Sequence, residues 1–308
     1  MSPAGWRVLL PPILTDLPLP AGVHRAIWDI EADPEARGID LSGVEVYVPG
    51  FPGVASGCTV MARMPALRLV QTLTAGVDRI REHVPPGVVL ANARGVHDAS
   101  TAELAVTLML AAQRGIDEDV RAQGRHEWRP VARPSLAGAT VLIVGYGSIG
   151  QAIEQRLAGF EVEVVRVARH AREGVAGEHQ LPGLLGRADV VVIAVPMTEG
   201  TVGMVDAAFL ARLPDGALLV NVARGPVVRT DALLAEVSTG RLRAALDVTD
   251  PEPLPADHPL WDAPGVLITP HVGGNTTAML PRARQLVAEN LRRYAAGEPL
   301  LNVVTGEY

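Results

Sequence analysis

The run Val141-Leu142-Ile143-Val144-Gly145-Tyr146-Gly147-Ser148-Ile149-Gly150 constrains this chain more than any other. Four consecutive aliphatic residues read as a strand buried on both faces. Three glycines at G-x-G-x-x-G spacing follow, and the pattern over Ile149 to Leu157 then becomes helical. In that context each glycine has a reason. Gly145 permits a tight turn, Gly147 lets the backbone approach an anion, and Gly150 lets the helix pack on the strand. The helix N-terminus adds free N–H groups and a partial positive charge. Gly145, Tyr146, Gly147, Ser148, Ile149 and Gly150 are therefore candidate ligands of a dinucleotide pyrophosphate.

The following sequence repeats the strand and helix alternation. Strand candidates are Val162–Val167, Val190–Val195, Leu218–Val222, Ala244–Val248 and Val266–Thr269. Helical periodicity runs through Ala207–Leu213 and Asp231–Val237, with Thr230 as an expected N-cap and Gly240 as a stop. The expected architecture is α/β, a doubly wound parallel sheet of the Rossmann type. An NAD site normally carries an acidic residue about 20 positions past the glycines to bond the ribose hydroxyl. Here that position is Ala168, followed by Arg169 and Arg172. A carboxylate would repel a 2′-phosphate, whereas a guanidinium can hold it. Ala168, Arg169 and Arg172 are assigned to the adenosine end, with NADP(H) favoured and NAD(H) as the other cofactor the site could take.

Residues 1–98 have a different texture. Short strands at Arg7–Leu10, Val44–Val48, Leu67–Leu73 and Val88–Ala91 are separated by Pro and Gly, as in a smaller, flavodoxin-like α/β unit. A long apolar helix is expected over 99–114, capped near Asp98 or Ser100. A last helix, Ala278–Ala295, comes after the final sheet strand and is expected to return to the first unit. The division is thus 1–98 with 279–308 as a substrate domain, and 99–278 as the dinucleotide domain.

Composition removes whole classes of chemistry. All 27 basic residues are Arg. Without lysine there is no Schiff-base amine and no Walker-type phosphate loop. The net charge of −7 gives no bulk attraction for nucleic acid or anionic membrane. One cysteine, Cys58, excludes an internal disulfide and a multi-thiolate zinc site. The histidines at 24, 83, 97, 126, 170, 179 and 258 have no ligand spacing, so no metal is expected. Apolar runs fall short of the roughly 20 residues of a membrane helix. The start MSPAGWRVLLPP lacks a basic n-region or cleavage signal. The expectation is a soluble, cytoplasmic protein with no nucleic-acid or membrane partner.

Seven ordered stretches resemble the D-isomer-specific 2-hydroxyacid dehydrogenase family, its glyoxylate/hydroxypyruvate reductase-like members in particular. They are QTLTAGVD (71–78), STAELAVTLMLA (100–111), LAGATVLIVGYGSIG (136–150), ADVVVIAVPMT (188–198), LLVNVARGPVV (218–228), LRAALDVTDPEPLP (242–255) and LITPHVGGNT (267–276). The resemblance implies a catalytic Arg, Glu and His, which fall on Arg224, Glu252 and His271. It places Asp247 near the nicotinamide and adds Val195, Pro196, Val222, Ala223, Gly273 and Gly274 to the cofactor contacts. It also implies that backbone amides at Thr74, Ala75 and Gly76 bind the substrate carboxylate across a cleft that closes by hinge motion, together with Arg224 and His271. Thr249 departs from the family, where an aromatic commonly follows Asp-Val, and this bears on substrate shape. A homodimer is implied, formed through the helix from 99 and the arm Gly124–Trp128.

The residue types suit the implied reaction. Arg224, always charged, can hold a carboxylate and polarise a carbonyl. His271 can pass a proton to the carbonyl oxygen, and Glu252 can fix its tautomer. The expected activity is NADPH-dependent, reversible reduction of a small 2-oxo acid to the D-2-hydroxy acid. The alternatives are an NAD-linked phosphoglycerate-type dehydrogenase, which Ala168 weakens, and a nucleotide-sensing scaffold without turnover. A formate dehydrogenase is disfavoured because Glu252 stands where such relatives carry glutamine.

Overall fold

The structure is a computed structural model that describes residues 5–50 and 55–306. The ends of the expected substrate domain (1–4 and 307–308) and residues 51–54 lie outside them. The chain divides into two compact units, Met1–His97 with Thr277–Tyr308, and Asp98–Thr276.

The first unit holds β1 (Trp6–Leu10), β2 (Val23–Ile27), β3 (Val44–Tyr47), helix α1 (Ala55–Thr59), β4 (Leu69–Gln71) and β5 (Val89–Ala91). All pairings are parallel, in the order β2-β1-β3-β4-β5. That is the flavodoxin-like order. Alternate strand residues separate onto two faces, as the pleat requires. Val8, Leu10, Val46 and Leu69 pack on one side, Leu9, Tyr47 and Val70 on the other.

The second unit runs α2 (Asp98–Arg114), α3 (Ile116–Gln123), β6 (Thr140–Val144), α4 (Ser148–Leu157), β7 (Glu163–Ala168), β8 (Ala176–Gly177), α5 (Leu181–Leu184), β9 (Val190–Ile193), α6 (Ala207–Leu210), β10 (Leu218–Asn221), α7 (Thr230–Ser238), β11 (Arg243–Leu246) and β12 (Val266–Ile268). Its seven parallel strands are ordered β12-β11-β10-β9-β6-β7-β8. This is the doubly wound Rossmann order extended by one strand, with its switch point between β6 and β9. Val141, Ile143, Val190, Val192, Leu218 and Val220 face α2 and α4. Leu142, Val144, Val191, Ile193 and Leu219 face α6 and α7. After the last strand the chain re-enters the first unit as α8 (Met279–Ala296), whose Ala283, Val287 and Leu291 complete one of that unit's two cores.

Several local expectations shift. β4 is only Leu69–Gln71, because Thr72 and Leu73 leave the ladder for the loop that follows. Edge strand β2, Val-His-Arg-Ala-Ile, is half exposed and carries no continuous apolar run, so periodicity misses it. Thr230 is the first helical residue rather than the cap, and its hydroxyl donates to Asp250 O at 2.6 Å. Gly240 does stop that helix, with φ of 73°. None of the described helices is long and apolar enough to cross a membrane.

Leu142 is fully buried between β7 and β9. Leu142→Ala is expected to destabilise the second unit by about 2–5 kcal/mol, through lost transfer energy and a cavity. Val202→Ala, at an exposed site, is expected to stay within about 0.5 kcal/mol. Urea unfolding followed by circular dichroism compares the two.

Candidate active site

The glycine turn sits at the switch point of the second sheet. Gly145 has φ of 101°, and a Cβ there would lie 2.5 Å from the Ala194 carbonyl carbon and 2.6 Å from Val195 N. Only glycine lets the turn after β6 lie against the segment that continues into Val195 and Pro196. A Cβ on Gly150 would meet Gly145 O at 2.6 Å, so the third glycine closes the helix onto the turn. At Gly147 a Cβ would meet nothing within 4 Å. The space there is open, as it must be for a ligand to reach the backbone. Gly145 and Tyr146 donate their N–H groups to Val167 O. The N–H groups of Ser148, Ile149 and Gly150 precede the first intrahelical bond, from Gln151 to Gly147 O at 3.0 Å. The turn, the open second glycine and the helix N-terminus fit a pyrophosphate.

Beside this turn lies a charge cluster that sequence reasoning only partly anticipates. Arg172 donates to Tyr146 O at 2.6 Å and lies 5.7 Å over its ring. Arg166, not among the expected residues, is 5.8 Å from the same ring and donates from Nε to Glu154 at 2.7 Å. The Tyr146 hydroxyl also donates to Glu154. The Arg166 guanidinium holds the Glu154 carboxyl below the usual carboxylate range. Burial, and then the hydrogen bond to Glu154, push the Tyr146 phenol up. Arg166 is thus neutralised within the fold. Ala168 ends β7, and Arg169 and Arg172 follow it on the surface. The missed pairing had one sequence signal: Arg166 shares a strand face with Ala168, two positions on.

The candidate catalytic residues occupy loops that leave the C-terminal ends of β10, β11 and β12. Arg224 follows β10. The fully buried Asn221 fixes its backbone, accepting from Ala223 N–H at 3.0 Å and donating to Arg224 O at 3.0 Å. The half-buried Arg224 guanidinium donates to Ala223 O at 2.8 Å. The next residue, Gly225, is pressed against the loop after β11. A Cβ there would stand 1.8 Å from Thr249 O. No other residue type fits, and the contact locks the loop bearing Arg224 to the one bearing Glu252. Thr249 itself donates its hydroxyl to Pro251 O at 2.9 Å, bracing the same loop.

His271 Nδ1 is 2.7 Å from Glu252 Oε1. A carboxylate only accepts, so Nδ1 carries the hydrogen and Nε2 is the nitrogen left to exchange a proton. His271 holds φ of 53°, a left-handed conformation uncommon outside glycine. Asp247 explains how it is held. Its carboxylate, 3% exposed, accepts from Thr269 Oγ1 at 2.7 Å, Val272 N at 2.9 Å and Gly273 N at 2.8 Å. The His271 N–H donates to Asp247 O at 2.8 Å. Asp247 thus grips the histidine loop on both sides of the strained residue. A Cβ on Gly273 would collide with Asp247 Oδ2 at 2.8 Å, which accounts for glycine there.

The structure therefore joins Glu252 to His271, Asp247 to Val272 and Gly273, Gly145 to Val195, and Arg172 to Tyr146. Thr74, Ala75 and Gly76 belong to the first unit, in the partly exposed loop after β4. Val222 and Ala223 are buried at the end of β10. No cluster of three potential metal ligands occurs among the described residues.

The family model "D-isomer specific 2-hydroxyacid dehydrogenase, NAD binding domain" matches residues 106–273. The human "Glyoxylate reductase/hydroxypyruvate reductase" is 34% identical over 248 residues, 76% of each chain. The "D-3-phosphoglycerate dehydrogenase" of Mycobacterium tuberculosis is 36% identical over 250 residues, and the matched region spans 47% of that longer protein. A solved NADPH-dependent glyoxylate/hydroxypyruvate reductase of Sinorhizobium meliloti, in complex with NADP and sulfate, superposes with a TM-score of 0.83 at 28% identity, covering 97% of this chain and 98% of that one. On the fold, the glycine turn and these matches, this chain is an oxidoreductase of the D-isomer specific 2-hydroxyacid dehydrogenase family, built to use a nicotinamide cofactor on 2-oxo and 2-hydroxy acids.

Proposed function

We propose that the protein reduces a small 2-oxo acid, glyoxylate, hydroxypyruvate or a near analogue, to the D-2-hydroxy acid, with NADPH preferred over NADH. The observation that carries this reading is the 2.7 Å contact between His271 Nδ1 and Glu252 Oε1, in a loop gripped by Asp247. When bound, the nicotinamide supplies the hydride to C2 of the substrate. His271 gives the proton on Nε2 to the carbonyl oxygen, and Glu252 keeps the ring in the tautomer and orientation that make this possible. The Arg224 guanidinium binds the carboxylate and polarises the carbonyl. The amides of Thr74, Ala75 and Gly76 bind that carboxylate as well. In oxidation the same nitrogen receives the hydroxyl proton.

The cofactor contacts comprise Gly145 to Gly150, Val195, Pro196, Val222, Ala223, Gly273 and Gly274, with Asp247 acting beside the nicotinamide. Preference for NADPH is supported by Ala168 at the position of the usual ribose-binding carboxylate, and by Arg169 and Arg172 after it. Arg166 does not count toward that preference, since Glu154 already balances it. The same alanine weighs against an NAD-linked reading. A homodimer is supported by the apolar exposure along α3 and the arm after it. Val120 is 60% and Trp128 95% exposed.

Steady-state assays with glyoxylate, hydroxypyruvate, pyruvate and phosphohydroxypyruvate, each with NADPH and NADH, test the reading. Turnover is expected with the first two, and oxidation of neither cofactor by any substrate would leave a nucleotide-binding scaffold instead. In the same assay His271→Ala is expected to lower kcat by about 10²- to 10⁴-fold while the Kd for NADPH, measured by fluorescence, changes little. Arg169→Ala is expected to raise the KM for NADPH about tenfold or more and to leave that for NADH almost unchanged, since only one cofactor carries the extra phosphate. Equal losses for both would remove Arg169 from the phosphate site. Trp128→Glu should convert a dimer to a monomer in light-scattering chromatography, because a charge cannot be buried unpaired at the centre of an apolar contact.

A further inference from the structure

The loop proposed to bind the substrate carboxylate is held from behind by two side chains, Thr72 and Asn92, that belong to no expected site. Thr72 Oγ1 donates to Thr74 O at 2.8 Å, and Ala93 N donates to the same oxygen at 2.9 Å. Asn92 Nδ2 donates to Ala75 O at 3.0 Å. Thr74 Oγ1 donates to Gly76 O at 2.8 Å. Two consecutive carbonyls are thus turned toward Thr72 and the 92–93 segment, and the third is fixed by the loop's own threonine. In a planar trans peptide the N–H points opposite to the C=O. Fixing the oxygens of Thr74, Ala75 and Gly76 therefore aims the N–H groups of Ala75, Gly76 and Val77 the other way. Neither Gly76 nor Val77 donates its N–H to an acceptor among the described residues. Neighbouring N–H groups aimed outward form an anion cradle with no formal charge.

The clamp has its own support. Asn92 Oδ1 accepts from Arg94 N at 3.1 Å, which leaves its amide nitrogen directed at Ala75. Gln71, 1% exposed, donates to Thr72 O at 2.9 Å and to Asn92 O at 3.2 Å. Its own oxygen accepts from Asn290 Nδ2 of α8 at 2.5 Å. Asn290, equally buried, bonds the Leu301 backbone in both directions, accepting from its N–H at 2.8 Å and donating to its carbonyl at 3.1 Å. A chain of three amides thus runs from the helix re-entering the first unit to the back of the loop. Buried amides of this kind are costly unless satisfied, and each of these has partners.

We propose that Thr72 and Asn92 are positioning residues for substrate, braced by Gln71 and Asn290, which set the aim of this loop's amides at a carboxylate. The inference rests on the functional reading given above. It assigns these residues to recognition of the ground-state carboxylate and not to the hydride or proton step. Removing the Asn92 amide frees the Ala75 carbonyl to turn outward, where its partial negative charge opposes the anion, and removing the Thr72 hydroxyl leaves Thr74 O held by Ala93 N alone and loosens it.

Thr72→Val, which keeps shape and loses the hydroxyl, and Asn92→Ala are each expected to raise the KM for glyoxylate about 5- to 10-fold, the range for one lost hydrogen bond. The values of kcat and of KM for NADPH should stay within about twofold. Thr72→Ser restores the hydroxyl and should restore the KM. Binding of oxamate to the NADPH-loaded protein, read by calorimetry, should weaken in the same order and needs no turnover. An unchanged KM and unchanged oxamate binding in Thr72→Val would overturn the assignment. So would a parallel fall in kcat, NADPH binding and thermal midpoint that Thr72→Ser does not rescue. A wild type that binds oxamate tightly, weakens as expected in Thr72→Val and reduces no 2-oxo acid would sink the functional reading and spare this one.

Discussion

Parallel strands joined by helical crossovers send every outgoing loop to one edge of the sheet, and that constraint organises the second unit. A parallel sheet needs both faces covered, so its strands must be apolar throughout. Chemistry is thereby expelled from the strands into the loops at their C-terminal ends. The glycine turn follows β6, Arg169 and Arg172 follow β7, Val195 and Pro196 follow β9, Arg224 follows β10, and Glu252 and His271 follow β11 and β12. Residues more than 100 positions apart share an edge because Val141, Val190 and Leu218 pair in register beneath them.

Delivery to one edge does not by itself fix a side chain, and the loops use two devices to do so. One is close approach of backbones, permitted by glycine. Gly225 lies on the Thr249 carbonyl and Gly145 on the Ala194 peptide, so neighbouring loops cannot move independently. The other is a buried carboxylate. A non-glycine residue in the left-handed region costs on the order of 1–3 kcal/mol. Against that, Asp247 accepts three hydrogen bonds, and bonds to a charged group contribute about 1.5–3 kcal/mol each. The bonds outweigh the strain, so His271 can keep an orientation that a relaxed loop would abandon. Asp247 thereby gains a structural role in addition to the cofactor contact that the resemblance implies.

Legibility in the sequence follows the range of the interaction. The β6 strand, glycine turn and α4 form one local unit, and consecutive aliphatic residues followed by fixed glycines reveal it. The strands of the second sheet are visible for the same reason, although β9 stops at Ile193, before Val195. The pairing of Glu252 with His271 spans 19 positions, and the sequence suggests it only by resemblance. Gly225 against Thr249 and the amide chain from Asn290 to Asn92 carry no periodic signal at all, and for Arg166 with Glu154 the strand face shared with Ala168 marks the arginine but not its partner. Each depends on tertiary approach of residues whose types, read alone, suit a solvated surface or a turn. Edge strand β2 is hidden because none of its five residues is fully buried, and two-residue β8 is too short to show a period.

The absence of lysine sharpens how this chain handles anions. Every side-chain cation other than histidine is a guanidinium, planar, permanently charged and readily paired with carboxylates. Many are consumed that way: Arg63 by Asp33 and Glu35 and Arg292 by Glu289 and Glu298 on the surface, and Arg166 by Glu154 in a part-buried pair. A guanidinium already paired adds little to ligand binding, so the sequence count of arginines overstates the charge available to a phosphate or a substrate. In the proposed function, selectivity then rests on the loops where geometry presents a donor without a resident carboxylate. The turn at Gly147 does this with a helix N-terminus. On the reading proposed above, the loop after β4 does it with neutral amides, whose direction is set by hydroxyl and carboxamide groups. A neutral cradle also avoids the penalty of holding unpaired charge when no substrate is bound.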